Sequence, residues 1–209
     1  MLPGRITKVP ISDEGAYIEY LANRASGRED QVAYLSEAGR APSRWMGSGA
    51  AVLGLAGAVD LGVLRAYAEC RDPATGEQLG LRLPKWGAFE SPFTAPKDTS
   101  TLWALWVAMR GEIEESVWYG ATAGIGRAEA EGAKYGRGSI RGEDVVYDSK
   151  GLIVGGFLHG SARAAGDYLP DPHLHCHAYA VNRVFCLDGK WRSMHSDPFV
   201  RASRTAVRG

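Results

Sequence analysis

The segment DPHLHCHAYAV, residues 171–181, alternates with a period of two. In an extended strand successive side chains point to opposite faces. His173, His175, His177 and Tyr179 therefore share one face, and Leu174, Cys176, Ala178 and Ala180 share the other. The second set is small and apolar and belongs against a core. Three of the chain's five histidines thus stand on one side of one strand. His159 closes a second strand-like run, GLIVGGFLH (151–159), close enough in sequence to be the neighbouring strand.

Two imidazoles at i and i+2, joined by one from an adjacent strand, make a three-nitrogen site for a divalent transition metal. Three neutral ligands leave the ion's full charge available to a bound anion such as a phosphodiester. The plainer alternative is a row of half-exposed surface histidines or a stacked ladder; three in alternation, with small apolar residues opposite, favour the metal. An all-histidine donor set also differs from a structural zinc finger, which uses thiolates. The three cysteines, Cys70, Cys176 and Cys186, form no C-x-x-C pair, and so sparse a set fits a reducing compartment.

Outward from this strand, VVYD (145–148) and RVFCLDGKWRSMHS (183–196) read as further antiparallel strands, with a hairpin turning at Asp188-Gly189. PKWGAFESPFTAPK (84–97) is a strand-like run that should stop at Pro96. After it, Ser100 is expected to cap one long helix, TLWALWVAMRGEIEESVWYGA, with apolar positions 102, 105, 106, 109, 113 and 117, continuing to about residue 134. Near the amino terminus a short strand over 1–10 leads to Ser12 as N-cap of a helix, DEGAYIEYLAN, ended by Gly27. Residues 28–47 read as a polar stretch, 48–69 as helical turns interrupted by glycines, and RDPATGEQLG (71–80) as a loop. Helices and strands mix without βαβ units, so the expected fold is α+β, a central antiparallel sheet flanked by helices, in a single domain over residues 1–209 that ends in a basic tail from 200 to 209.

The chain has 209 residues, 45% hydrophobic and 23% charged, with formal net charge zero. Neutrality argues against a protein that coats nucleic acid indiscriminately, but a local basic track can still steer a phosphate backbone. Between residues 183 and 209, Arg183, Lys190, Arg192, Arg201, Arg204 and Arg208 face only Asp188 and Asp197. Trp45, Trp86 and Trp191 offer surfaces for unpaired bases, or simply core. The first residues lack the apolar run of a signal peptide, and no stretch of the sequence is long and apolar enough for a membrane span.

A tyrosine hydroxyl can attack a phosphodiester and hold the strand as a phosphotyrosine. Tyr17 and Tyr20, three apart on one helical face, are candidates, and Tyr34 is a third. Tyrosines on amphipathic helices more often edge a core, so spacing alone does not choose among the nine present.

Several segments together resemble the TrwC/TraI-type conjugative relaxases of the HUH endonuclease superfamily. GLIVGGFLH, DPHLHCH and LDGKWRSMHS match that family's histidine strands and its D-G-x-W-R signature in order, and FTAPKDTSTLWAL (93–105) is similar to its FSAPKSxSxLWAL segment. RAPSRWMGSGAAVLGLAGAVD (40–60) looks like the region after the family's tyrosines. The resemblance spans about residues 10 to 200. It implies an antiparallel sheet flanked by helices, and an enzyme that nicks one DNA strand at a transfer origin and stays joined to its 5′ end.

Carried over residue by residue, the resemblance makes His159, His175 and His177 metal ligands and Tyr17 the principal nucleophile, with Ile18 where a second tyrosine often stands. Tyr20 and Tyr34 remain alternative nucleophiles. Glu90 falls near the family's aspartate, which orients a ligand histidine or accepts the tyrosine proton. His173, Lys97, Arg183, Lys190, Arg192 and Arg201 are the expected DNA contacts. The implied cofactor is a divalent metal, Mg2+ or Mn2+, with Zn2+ or Ni2+ able to substitute in vitro. The implied partners are single-stranded DNA at an origin of transfer and other relaxosome or conjugation proteins, for a monomer in the bacterial cytoplasm with no membrane contact. By the same resemblance the chain stops at Gly209, ahead of the rest of the DNA-enclosing region and of a helicase domain. Two other readings fit the residues: a decayed relaxase-like protein that binds DNA without cutting it, and a histidine-metal hydrolase of small substrates.

Overall fold

A computed structural model describes residues 2–3, 6–22, 41–162 and 171–205. The alternating segment is a ten-residue strand, β8 (Pro172–Val181), at the centre of an antiparallel sheet. On one side it pairs with β7 (Val154–Ser161), which is followed outward by β3 (Ser43–Met46). On the other it pairs with β4 (Trp86–Thr94), which carries β1 (Leu2–Pro3) and β2 (Thr7–Pro10) at its far edge. A second antiparallel sheet runs in the order β6 (Glu143–Tyr147), β5 (Gly136–Ile140), β10 (Trp191–Met194), β9 (Val184–Phe185). The β9–β10 hairpin turns at Asp188-Gly189, where Gly189 takes φ 78°, a value glycine adopts without steric penalty.

Both faces of the central sheet are covered. One face packs under α4 (Lys97–Leu105) and α5 (Arg110–Ala128), burying Phe89 and Phe93 of β4, Val154 and Leu158 of β7, and Leu174, Cys176, Ala178 and Ala180 of β8. Helix α5 meets them with Ile113, Val117, Trp118, Ala121, Ile125 and Ala128, an i, i+4 stripe that suits a long amphipathic helix. The other face lies beneath α1 (Glu14–Ala22) and α3 (Leu61–Ala68), with Ile18, Leu21, Leu64 and Tyr67 packed on Ala88, Phe157, Tyr179 and Val181. The alternation of β8 therefore separates two cores, and the histidines share the α1 side. The fold is α+β, as expected.

Several local expectations are corrected. The long helix after Pro96 is two helices. It breaks at Trp106 (φ −111°, ψ 85°), followed by a 3-10 turn, Val107–Met109. Arg110 sits across the break, its guanidinium donating to the carbonyls of Trp103 (3.0 Å) and Ala104 (2.8 Å), which end α4. Leu102, Leu105 and Trp106, expected in the core, are exposed. Ser100 is not a cap: it lies inside α4, and its hydroxyl accepts the amide of Leu174 (3.0 Å), pinning the helix to β8. The helix of residues 110–128 does run on, through a π turn at Glu129–Ala133.

At the amino terminus α1 starts at Glu14, and Ser12 Oγ bonds the Asp13 carboxylate (2.8 Å) rather than a helix amide. The expected helix end at Gly27 lies outside the described residues. β3 was not expected at all. The short α2 (Ser48–Val52) and the Asp60-capped α3 fill the region read as interrupted turns. The expected basic tail is helical as far as Thr205, in α6 (Ser196–Thr205).

Candidate active site

The site is built by register. In the β7–β8 ladder His159 stands directly opposite His175, and His177 lies opposite Phe157 of β7 and Pro92 of β4. A ligand-type nitrogen from each of His159, His175 and His177 lies within 4.8 Å of those of the other two. The rings sit edge to face, His159 and His177 centroids 4.7 Å apart and His175 and His177 4.6 Å.

Hydrogen bonds at the outer ring nitrogens fix the tautomers. His175 Nδ1 is 2.6 Å from the carbonyl of His173, and His177 Nδ1 is 2.8 Å from Glu90 Oε1. Both partners are acceptors, so both Nδ1 atoms carry a proton, and in the neutral ring Nε2 is left with a bare lone pair. Those two Nε2 atoms face each other at 2.9 Å. Two lone pairs at that distance repel unless a cation lies between or beside them, so the donor set fits a divalent metal. The third ring, His159, places Nε2 2.9 Å from the Leu21 carbonyl of α1. Burial, and then the neighbouring His177, hold His175 down at about 3, which keeps it neutral and able to ligate.

Helix α1 lies over this triad because the turn at Pro10–Asp13 folds it back onto β2 and β4, the Asp13 amide donating to the Pro10 carbonyl (3.0 Å). That placement brings the Tyr17 hydroxyl 3.3 Å from Glu90 Oε2. Glu90, 3% exposed, thus bridges the phenol to His177 through its two oxygens. Burial, reinforced by Glu90, pushes the Tyr17 phenol above the ordinary tyrosine range, so at neutral pH it is a protonated hydroxyl that needs a base before it can attack. Tyr20 stands roughly perpendicular to the histidine rings, its centroid 6.4 Å from those of both His159 and His177.

Tyr179, the next residue of the alternation on that face, has no exposed surface and stacks on Tyr17 (centroids 6.1 Å, 29° between planes). The alternation placed Tyr179 on this side, but only the fold shows that its ring is the floor on which Tyr17 rests. Tyr34 lies outside the described residues.

The expected DNA contacts divide. Lys97 is exposed and pairs with Asp171 (3.0 Å) at the mouth of the site, and half-buried His173 borders the triad without joining it. Lys190 and Arg201 are exposed. Arg183 is corrected: only 2% exposed, it donates to Ser193 Oγ (2.9 Å) and to the Arg82 carbonyl, so it is a buried strut and not a phosphate contact. Arg192 is also engaged, forked onto Asp188 by two bonds of 2.7 Å and lying 3.7 Å over the Tyr147 ring. Trp191 packs between Tyr67 and Phe185, as a core residue would. No helix among the described residues is long and apolar enough to cross a membrane.

Comparison with known proteins agrees with this architecture. Among solved structures the chain is similar to the conjugative relaxase TrwC in complex with oriT DNA in a copper-bound form (28% identity, TM-score 0.74, covering 98% of this chain and 66% of that one). It is also similar to a metal-bound form of the same complex (27%, 0.73, 98% and 65%). A third similar structure is TrwC with a 27-mer DNA comprising the recognition hairpin and the cleavage site (26%, 0.71, 98% and 64%). The chain thus spans about two thirds of the length of these relaxases. No curated protein sequence matches it. The sequence profile of the TrwC relaxase family matches residues 14–208, from the first residue of the tyrosine helix to the end of the basic segment, and the chain belongs to that family.

Proposed function

We propose that the protein is a metal-dependent single-strand DNA endonuclease and strand transferase that nicks a transfer-origin site through a 5′-phosphotyrosine. The observation that carries this reading is the bridge made by Glu90. One carboxylate oxygen receives the Tyr17 hydroxyl and the other holds His177, whose Nε2 converges on that of His175. The nucleophile, its proton acceptor and the cation-binding face are thereby joined in one line of contacts.

In this reading His159, His175 and His177 hold a divalent cation, Mg2+ or Mn2+ being the candidates. Such an ion would supply positive charge to a bound scissile phosphate. Glu90 Oε2 takes the proton as Tyr17 Oη bonds to phosphorus, the bond from phosphorus to the 3′ oxygen breaks, and the departing 3′ oxygen is protonated by solvent. The new phosphotyrosine keeps the ester's bond energy, so the same groups run in reverse rejoin the strand. Tyr179 fixes the ring plane of Tyr17. Lys97, His173, Lys190 and Arg201 are the proposed contacts to the backbone of single-stranded DNA. Relaxosome proteins are the proposed partners, and the bacterial cytoplasm the proposed place of action.

The test is a denaturing gel. Purified protein with Mn2+ is incubated with 3′-labelled single-stranded oligonucleotides tiling the DNA beside its gene. A labelled band at the protein's mass is expected, lost on chelation and lost in Tyr17→Phe with DNA binding retained. An undiminished band in Tyr17→Phe contradicts the assignment of the nucleophile. Metal and DNA binding without any band supports the decayed protein instead.

A further inference from the structure

Each ring of the triad donates one N–H to an acceptor that the fold supplies. His175 Nδ1 serves the carbonyl of His173, and His177 Nδ1 serves Glu90 Oε1. His159 differs in the atom it uses and in where its acceptor lies. Its Nε2 is 2.9 Å from the main-chain carbonyl of Leu21, 138 residues earlier in the chain and in the last turn of α1. A carbonyl only accepts, so Nε2 carries the proton and the neutral ring keeps its lone pair on Nδ1. The last carbonyls of a helix have no partner within it. α1 has no basic residue in its last turn, and two of these carbonyls are met from outside: that of Ala22 by the Ala41 amide (2.9 Å), that of Leu21 by His159. Leu21 lies four residues beyond Tyr17, on the same side of the helix. Helix α1 is thus fastened to the ligand histidines at two points, by the Tyr17 hydroxyl through Glu90 to His177 and by the Leu21 carbonyl to His159.

We infer that the Leu21 carbonyl positions His159 so that this ring binds the metal through Nδ1 while His175 and His177 bind through Nε2, and that metal binding in return locks the tyrosine helix in place. The inference rests on these three histidines holding a metal. A ligand histidine ordinarily donates its other N–H to a carboxylate or a carbonyl, and losing such a partner costs about 10- to 100-fold in metal affinity. Here the partner moves with α1: when the helix lifts, His159 loses its acceptor. Linkage is reciprocal, so a metal that binds about 10- to 100-fold more tightly with the helix down makes lifting of the helix rarer by the same factor. Occupancy of the cation site and presentation of Tyr17 are thereby coupled through a main-chain atom.

The test uses the whole protein with Zn2+, which is diamagnetic, and has two readouts. Heteronuclear NMR of the histidine side chains, with His159 assigned by the signal lost in His159→Gln, should show the proton on Nε2 and the metal on Nδ1 of that ring, the reverse of His175 and His177. Hydrogen exchange followed by mass spectrometry should show the amides of α1 exchanging about 10- to 100-fold more slowly with saturating Zn2+ than without it. Those of α5, on the opposite face of the sheet, should keep their rate. Tyr17→Phe cuts the other fastening and should keep most of the slowing. Metal on Nε2 of His159, or α1 amides that exchange no more slowly once Zn2+ is bound, overturns the inference while the metal site stands. A slowing lost in Tyr17→Phe assigns the coupling to Glu90, and one equal in α1 and α5 is global stabilisation; either overturns the inference as well. No Zn2+ binding by calorimetry overturns the metal site itself and the inference with it.

Discussion

Glu14, the first residue of the helix that carries Tyr17, is a carboxyl with 1% exposure, and neither oxygen has a hydrogen-bond partner among the described residues. It lies against Gly87 of β4 so closely that a Cβ there would come within 2.1 Å of Glu14 Oε1. Burial, with Glu69 and Asp13 adding to it, raises the carboxyl from 4.5 to about 8. The unfolded chain ionises near 4.5, whereas the fold keeps the proton until about pH 8. Folding therefore holds an extra proton in that window, and stability falls as pH rises through it. Each pH unit inside the window is worth about 1.4 kcal/mol. The linkage amounts to roughly 2–3 kcal/mol lost between pH 5 and 7, about 1 kcal/mol more by pH 8, and little beyond. Glu14→Gln is neutral at every pH and escapes this loss. Urea denaturation followed by tryptophan fluorescence, run for both proteins at pH 5, 7 and 8.5, should show the variant gaining on the wild type by those amounts. A difference between the two that stays flat with pH would mean that Glu14 is ionised in the fold, and the burial argument would fail.

Three further outcomes follow from the geometry. Glu90→Gln leaves one acceptor oxygen where Tyr17 and His177 use two, and removes the base. Metal affinity by calorimetry should drop about 10- to 100-fold, as for other groups that orient a ligand histidine, and adduct formation should slow as well. Tyr179→Phe deletes a buried hydroxyl that has no partner among the described residues; its unfolding free energy should equal the wild type's or exceed it by about 1 kcal/mol, with the Tyr17 stack and the nicking rate kept. Lys190→Ala should weaken binding of single-stranded DNA and lower the slope of log affinity against log salt by about 0.7, read by fluorescence anisotropy; an unchanged slope removes Lys190 from the DNA path.

The central strand was legible in sequence because its information is local. A period of two with histidines on one face and small apolar residues on the other leaves little choice of side. The Asp188-Gly189 turn was legible for the same reason. What escaped is what neighbours impose. Nothing at Trp106 breaks the helical period; the break comes with Arg110 closing the carbonyls of α4. β3 hides in a polar stretch because its partners, Gly155 and Gly156 of β7, are over a hundred residues away. At Gly156 a Cβ would collide with Met46 and Trp118, so the close approach there depends on glycine. Arg183 and Glu14 show the same limit for charge. A tally of cations places Arg183 on the DNA side, and an acid in a helix's first turn looks like a solvated partner of the helix dipole. Both side chains are in fact buried.

For the site, the histidine set was legible from spacing and resemblance, whereas the bridge from Glu90 to Tyr17 depends on where a three-residue turn lays α1. Sequence spacing alone could not rank Tyr17 above Tyr20. The structure separates them by contact, since Tyr17 meets a carboxylate and Tyr20 stands across from the histidine rings.

The central claim is that the phenol beside Glu90 is the atom that receives the DNA strand. It is tested most directly by trapping the adduct with Mn2+, digesting the DNA and the protein, and locating the phosphonucleotide by tandem mass spectrometry. The account predicts the modification on Tyr17, in the peptide of α1. A modification on Tyr20 or Tyr34, or on any residue away from Glu90, contradicts it.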